Sequence, residues 1–208
     1  PLKYACDSVD QHGSGWCGFC YIIAVVQAIE DSVHISNRGK RIRICLQSTM
    51  NHFQSWNEHD TWNVCHGGSA LQVLKCFKQG SCSLISKRAA FVGFAQKTNN
   101  CYPSNIPFRV SSFNRIEESR VKHELLTRGP VILEISYLTC RDLDKNGVST
   151  EIMEHPRNHC VNVVGWTVVN GTECWIIRNS WGTKRMPSRL PVDYTTCVDV
   201  DRNVCSTE

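Results

Sequence analysis

Two cysteines stand directly before a long apolar segment, and this arrangement constrains the chain more than any other feature. Cys17 and Cys20 lie within residues 15–21, and the eight residues that follow are apolar except for Gln27. The apolar side chains recur at steps of three and four, which predicts a mostly buried helix beginning near Cys20. Unpaired backbone N–H groups and the helix dipole would favour a thiolate at that position.

Three interpretations of this pair are open from the residues alone. The C-x-x-C spacing at a helix start is typical of thiol–disulfide exchange. The same five residues, Cys-Gly-Phe-Cys-Tyr, differ at one position from a nucleophile signature of cysteine proteases. Two structural cysteines beside a core helix are the third possibility. The rest of the chain has to choose between them.

Length and composition favour an ordinary globular protein. The 208 residues are 41% hydrophobic and 20% charged, enough for one domain or two tightly packed lobes. The net charge is +4, and the basic residues are scattered without interleaved aromatics, so we expect no nucleic-acid partner. We also expect no membrane span and no leader segment, so the chain is predicted to be a mature product.

The cysteine count is high and odd. Of thirteen cysteines, twelve could pair in disulfides while one stays a reactive thiol, which fits an oxidising compartment. The sequon Asn170-Gly171-Thr172 makes Asn170 a candidate glycosylation site and agrees with secretory passage. We predict no metal site, because no second C-x-x-C follows and Pro156 interrupts the pair His155 and His159.

The order of elements predicts an α+β fold with a helical half and a sheet half. After the opening helix, residues 71–77 indicate a short helix closed by Gly80, and residues 116–127 an exposed one. Strands are then predicted over residues 131–135, 160–166 and 174–178. This order argues against the alternating βαβ pattern of a thioredoxin-like fold.

A thiolate nucleophile needs a general base, and the base needs an orienting partner. His159 opens one strand of a predicted hairpin, and Asn179 lies just past the end of the other. A turn at Asn170-Gly171 would carry both side chains to the same end of the sheet. Histidine and asparagine are therefore expected to stand side by side.

With these residues the chain resembles the papain family of cysteine peptidases. The motifs that carry the resemblance extend from residue 11 to about 182: Cys-Gly-Phe-Cys-Tyr, Cys65-His66-Gly67-Gly68, Gly129-Pro130-Val131, Asn158-His159 and Arg178-Asn179-Ser180-Trp181-Gly182. The resemblance implies one papain-like domain over residues 1–208. A mainly helical lobe over about 11–105 and a mainly β lobe over about 106–208, the latter resembling an antiparallel β-barrel, would enclose the active-site cleft.

The resemblance also implies a catalytic set. Cys20 corresponds to the nucleophile, His159 to the base that forms an ion pair with it, and Asn179 to the residue that holds the imidazole. Trp181 corresponds to the indole that shields this hydrogen bond beside the substrate. Gln11 corresponds to the glutamine whose amide forms the oxyanion hole with the Cys20 N–H group.

Further roles are carried over in the same way. Cys17 and Cys65 correspond to a disulfide that pins the nucleophile loop. Gly68 corresponds to the glycine that pairs with the substrate backbone, and Gly67 and Trp16 are expected to lie beside it in the substrate cleft. No cofactor is implied.

The spacing before Cys17 points to one branch of the family. Cys17 follows Gln11 by six positions, where most members have three, and this resembles the cathepsin X (cathepsin Z) branch. The resemblance implies a carboxypeptidase in which His12 binds the C-terminal carboxylate of the substrate. Glu134 lies on a strand that lines the specificity pocket in relatives; it would favour a basic side chain unless strand alternation points it outward.

The expected partners follow from the resemblance as well. They are peptide or protein substrates, cystatin-like inhibitors and the chain's own propeptide, with a monomeric enzyme in the lysosome, another acidic vesicle or the secreted space. Two alternatives stay open. One is an endopeptidase of the cathepsin B or L type, and the other is a papain-fold paralogue that binds peptides with little turnover.

Overall fold

The structure is a computed structural model of the chain. It describes residues 11, 17–36, 42–57, 63–80, 109–141, 143–144, 147–149, 156–182, 188–191 and 197–200. Helices occupy the first part of this range, and the second part contains the strands together with two further helices. The predicted α+β order is therefore confirmed.

The helical half is built around one buried helix. Its elements are α1 (Cys20–Ser36), α2 (Leu46–Trp56), a 3₁₀ turn (Val64–His66) and α3 (Ala70–Lys78). α1 begins at Cys20 as predicted, and every residue from Cys20 to His34 is buried. The helix is enclosed because it packs against α2 and α3 on one side and against the strands of the other half. Burial all round explains why apolar residues dominate its sequence.

The sheet half contains, within the described residues, six strands and two helices. They are β1 (Phe113–Ile116), α4 (Glu118–Thr127), β2 (Val131–Ile135), α5 (Tyr137–Arg141), β3 (His159–Val169), β4 (Thr172–Arg178), β5 (Ser188–Pro191) and β6 (Cys197–Val200). The strands form one sheet in the order β1-β6-β2-β3-β4-β5, with antiparallel pairing throughout.

Two local predictions can be compared directly with the structure. The β3–β4 hairpin turns at Asn170 and Gly171, whose φ angles of 50° and 81° match the two left-handed positions of a type I′ turn. The helix predicted from residue 116 begins two residues later, at Glu118. Ile116 instead pairs with Cys197 in the sheet, a long-range contact that the local pattern does not contain.

Two apolar cores flank a polar seam. One core surrounds α1, and the other lies between α4 and the sheet. Where α1 meets the strands, Arg178 Nη1 donates to Asp31 Oδ2 at 2.6 Å, and Asn162 Nδ2 donates to Gln27 Oε1 at 3.4 Å. All four residues are buried. The two halves are thus joined by polar contacts that α1 makes with β3 and β4.

The cysteine pattern differs from the prediction of twelve paired residues and one thiol. Cys17 and Cys65 form a disulfide with each other. Cys45 and Cys76 are each disulfide-bonded as well. Four others are thiols, all of them buried: Cys20, Cys140, Cys160 and Cys174. The prediction was wrong because a buried cysteine can fill a core position as a small apolar residue, and an odd count does not reveal how many do so.

Candidate active site

The loop before α1 is held against the Gly67 loop, and this fixes the position of Cys20. The Cys17–Cys65 disulfide joins the two loops, with its Cα atoms 4.3 Å apart. The Gly18 N–H group donates to the Cys65 carbonyl at 2.8 Å. A Cβ atom at Gly18 would lie 2.9 Å from that oxygen, so glycine is required for the close approach. Cys20 follows as the first residue of α1.

His159 and Asn179 lie side by side at the ends of β3 and β4. The distance from His159 Nε2 to Asn179 Oδ1 is 2.8 Å. The Ser180 N–H group donates to the same oxygen at 2.8 Å, which orients the amide. The Trp181 ring stacks on the imidazole, with ring centroids 5.1 Å apart. The hairpin therefore brings these side chains together as its turn predicts.

This hydrogen bond determines which imidazole nitrogen can act on the thiol. An amide oxygen only accepts, so Nε2 must carry the proton that it shares with Asn179. Nδ1 is then the nitrogen that can exchange a proton with the Cys20 thiol. Asn179 thus fixes both the orientation and the tautomer of His159.

The pKa of the Cys20 thiol is held well below its ordinary value. A hydrogen bond from the Cys160 side chain makes the largest contribution to this lowering. His159 adds a hydrogen bond and its positive charge, and the Cys160 backbone N–H group adds a further hydrogen bond. Burial acts in the opposite direction, since it disfavours the charged form. The donors around the sulfur outweigh this penalty. Cys20 is accordingly poised as a thiolate beside His159.

Gln11 lines the same cleft as Cys20, and its side-chain amide is hydrogen-bonded at both ends. The Ser180 hydroxyl donates to Gln11 Oε1, and Gln11 Nε2 donates to the Cys17 carbonyl at 3.3 Å. The primary amide has a second N–H bond. Among the described residues, no acceptor is bonded to the backbone N–H group of Cys20. Two donors at the cleft can therefore face a developing oxyanion.

The Gly67-Gly68 loop passes close to Tyr21. A Cβ atom at Gly68 would lie 2.7 Å from two carbons of the Tyr21 ring, so the site has no room for a side chain. Tyr21 is held there because its hydroxyl donates to the Val64 carbonyl at 3.0 Å. Burial raises the pKa of Tyr21, and the Cys20 and Cys160 sulfurs add to the shift, so the phenol remains a neutral donor. Gly67 has a φ of 94°, which favours glycine.

A cleft of about 720 Å³ lies over these groups. Its walls come from both halves of the chain, and besides Gln11, Cys20, His159 and Trp181 they include Gly67, Gly68, Glu134, Tyr137 and Arg157. Glu134 is partly exposed and lines this cleft. Of the two orientations open for Glu134, the structure has the one that reaches the cleft.

Not every predicted site residue can be assigned to the cleft. His12 and Trp16 fall outside the described residues. Asn170 is exposed at the turn of the β3–β4 hairpin. Within the described part of the chain, no cluster of three or more His, Cys, Asp or Glu side chains could hold a metal ion. No helix in that part is long and apolar enough to cross a membrane.

Cys160 is the residue that sequence reasoning missed. It follows His159 on β3, lines the cleft, and its hydrogen bond makes the largest contribution to the lowered pKa of Cys20. Its position next to the predicted base was the one available signal. Nothing in the local pattern indicated that its thiol would reach Cys20.

Comparison with known families agrees with this arrangement. Residues 3–186 match the model of the papain family cysteine proteases. The chain belongs to the papain family.

Individual relatives are distant. Cysteine proteinase 1 of Entamoeba histolytica is 29% identical over 178 residues, covering 81% of this chain and 54% of that protein. Human cathepsin O is 25% identical over 197 residues, covering 91% and 57%. Cathepsin Z of Onchocerca volvulus is 23% identical over 197 residues, covering 88% and 63%. The chain thus spans little more than half the length of these curated relatives.

The fold has counterparts among solved structures. A structure from a study of the mite allergens Blo t 1 and Der p 1 superposes with a TM-score of 0.75 at 19% identity, covering 94% of this chain and 67% of that one. This likeness, together with the helix and sheet arrangement above, confirms the predicted papain fold.

Proposed function

We propose that this chain hydrolyses peptide bonds by acyl transfer through Cys20. One arrangement carries the proposal: a thiol of lowered pKa at a helix N-terminus lies in a cleft beside His159, whose Nε2 lies 2.8 Å from Asn179 Oδ1. A nucleophile, a base and an orienting group in this relation are the minimum for thiolate catalysis. Membership of the papain family supports the same chemistry.

The reaction follows from the roles of the groups. The Cys20 thiolate attacks the scissile carbonyl carbon, and the carbonyl electron pair moves to oxygen, where the Gln11 amide and the Cys20 N–H group stabilise it. The carbonyl then re-forms, the C–N bond breaks, and His159 gives its proton to the leaving amine. Water attacks the remaining thioester while His159 takes a proton. This step releases the acid and regenerates the thiolate.

Within this chemistry the finer proposal is removal of one residue at a time from the C-terminus. The six-position spacing from Gln11 to Cys17 and the match to a cathepsin Z support it. His12 corresponds to the histidine that binds the terminal carboxylate in that branch, and a protonated imidazole would supply the positive charge. Hydrolysis should then be faster at mildly acidic pH.

The test compares one peptide as its free acid and as its C-terminal amide. We expect the wild type to prefer the free acid, His12→Ala to lose this preference, and the control His123→Ala, an exposed residue of α4, to keep it. Mass spectrometry of the products separates one-residue trimming from internal cleavage. Equal rates on both substrates, with internal fragments, would refute trimming and favour an endopeptidase.

A peptide-binding paralogue with little turnover is distinguished by labelling. A thiol-reactive epoxide should modify Cys20 stoichiometrically, and Cys20→Ala should abolish the modification. Absence of both labelling and hydrolysis under reducing, mildly acidic conditions would refute the enzyme.

The setting we propose is the lysosome, another acidic vesicle or the secreted space, with a propeptide and cystatin-like inhibitors as partners of a monomer. The Cys17–Cys65 disulfide and the exposed sequon at Asn170 support passage through an oxidising compartment. Expression through a secretory pathway should give a protein whose mobility shifts on deglycosylation. Asn170→Gln should remove this shift, and an unchanged pattern would contradict glycosylation at Asn170.

A further inference from the structure

We propose that Cys160 is a second catalytic thiol, whose S–H group donates to the Cys20 sulfur and helps to hold it as the attacking thiolate. The inference deepens the proposed function, because it adds a group that touches the reacting atom. It concerns a position next to His159 that the mechanism above leaves unused.

The fold brings the two sulfurs together from separate elements. Cys20 is the first residue of α1 and Cys160 the second residue of β3, and α1 packs against β3. Both side chains line the cleft, both residues are less than a tenth exposed, and neither is disulfide-bonded. Cys160 is fixed in register by its pairing with Glu134 on β2. The contact is therefore set by the sheet and the helix together.

Two groups of Cys160 lower the pKa of the Cys20 thiol through hydrogen bonds. One is its backbone N–H group and the other its thiol. An S–H group is a weak donor to a neutral acceptor, but a hydrogen bond to an anion is charge-assisted and stronger. His159 supplies a third donor. The thiolate thus depends only in part on the imidazolium.

The second thiol is held in the donor state. The pKa of Cys160 is raised well above its ordinary value, first by its hydrogen bond to Cys20, then by burial and by the charges of Cys20 and Glu134. Cys160 therefore keeps its proton over the range in which Cys20 has lost its own. One sulfur attacks and the other donates, so the two do not compete as nucleophiles.

Other titratable or charged groups face this pair from the surrounding elements. They are Tyr21 on α1, His66 in the 3₁₀ turn, Glu134 on β2, and Arg157 and His159 at the start of β3. They remain in place when Cys160 is substituted. A change in the titration of Cys20 can therefore be assigned to the lost donor if a variant that keeps a donor does not show it.

The experiment measures the rate of Cys20 alkylation by iodoacetamide against pH, with the modified residue identified by mass spectrometry. Reductant is removed just before the assay, and intact mass verifies that both thiols are reduced. Cys160→Ala and Cys160→Val remove the donor, while Cys160→Ser keeps one. Cys174→Ala, at a buried thiol of β4 that is not among the residues lining the cleft, is the control.

We expect loss of the donor to shift the midpoint of the alkylation profile upward by about one pH unit, or about tenfold in rate on its acidic side. Cys160→Ser and Cys174→Ala should stay near the wild type, and the acidic limb of kcat/KM for a peptide should move in parallel. The proposal is overturned if Cys160→Ala and Cys160→Val titrate like the wild type, or if Cys160→Ser shifts as far as they do. If Cys160→Ala and Cys160→Val shift the alkylation profile as expected but the wild type hydrolyses no peptide, the peptidase is refuted and the contact between the two thiols stands.

Discussion

The helical half and the sheet half hold their parts of the site in different ways. Cys20 is positioned by a covalent link between two loops and by a helix that is buried on every side. His159 is positioned by hydrogen bonds at strand ends, including that of the Asn158 N–H group to the Ile135 carbonyl at 3.0 Å. Covalent and packing constraints fix the position of Cys20. Hydrogen bonds fix the orientation and tautomer of His159.

The same contrast separates the two apolar cores from the seam between them. Each core can tolerate small losses of packing, whereas the Asp31–Arg178 pair at the seam is charged and buried. A buried charge left without its partner is costly. Different substitutions can therefore test the catalytic chemistry, the charged pair at the seam and the packing of side chains separately.

Removing the nucleophile should have the largest effect on activity and little on the fold. For Cys20→Ala we expect kcat/KM for a fluorogenic peptide to fall by at least about 10⁴-fold. The free energy of unfolding should change by no more than about 1 kcal/mol, because one buried sulfur is lost. Cys174→Ala serves as the control that keeps activity. Hydrolysis by Cys20→Ala within tenfold of the wild type would contradict the assignment.

Breaking the seam should have the largest effect on stability. Asp31→Asn leaves the buried guanidinium of Arg178 without its counter-charge, and we expect a loss of about 3–5 kcal/mol in urea unfolding. The matched control is Glu173→Gln. Its pair with Lys122 is 40% exposed on both sides, and its loss should cost less than about 1 kcal/mol. Equal losses in the two variants would show that burial of the seam pair is not what matters.

The lowered pKa of Cys20 predicts a distinctive pH dependence of alkylation. A cysteine in the unfolded chain loses reactivity roughly tenfold per pH unit below about pH 8.5, because its thiolate fraction falls. In the folded protein the thiolate persists as pH falls, until the lowered pKa is reached. We expect Cys20 to react at about pH 6 on the order of 10²-fold faster than the same residue in urea. Parallel profiles for the folded and unfolded protein would contradict a stabilised thiolate.

The glycine beside Tyr21 should show the smallest effect of these variants. In Gly68→Ala the new Cβ atom would lie 2.7 Å from the ring, and we expect a loss of about 1–3 kcal/mol in the free energy of unfolding. Gly165→Ala is the control, because its Cβ atom would meet Ile176 at an ordinary 3.6 Å. We expect that variant to stay within about 0.5 kcal/mol of the wild type. Thermal melting of both proteins checks the difference.

Local patterns predicted the elements that depend on neighbouring residues. The start of α1 follows from the apolar period after Cys20, and the hairpin turn follows from Asn170 and Gly171, which tolerate positive φ angles. The start of α4 was placed two residues early, because Ile116 is taken into the sheet by Cys197. The strands β5 and β6 were missed, since the pairing that forms them lies outside their own sequence.

The sequence by itself determined the family, the helix that carries Cys20 and the hairpin that joins His159 to Asn179, because each rests on spacing along the chain. Only the tertiary structure decided which cysteines are thiols, that Glu134 reaches the cleft, and that Cys160 lines the same cleft as Cys20. These facts depend on contacts between α1, β2 and β3, which are far apart in sequence. Cys17 and Cys20, which are neighbours in the sequence motif, therefore have different partners. Cys17 is disulfide-bonded to Cys65, whereas Cys20 lies in the cleft with Cys160.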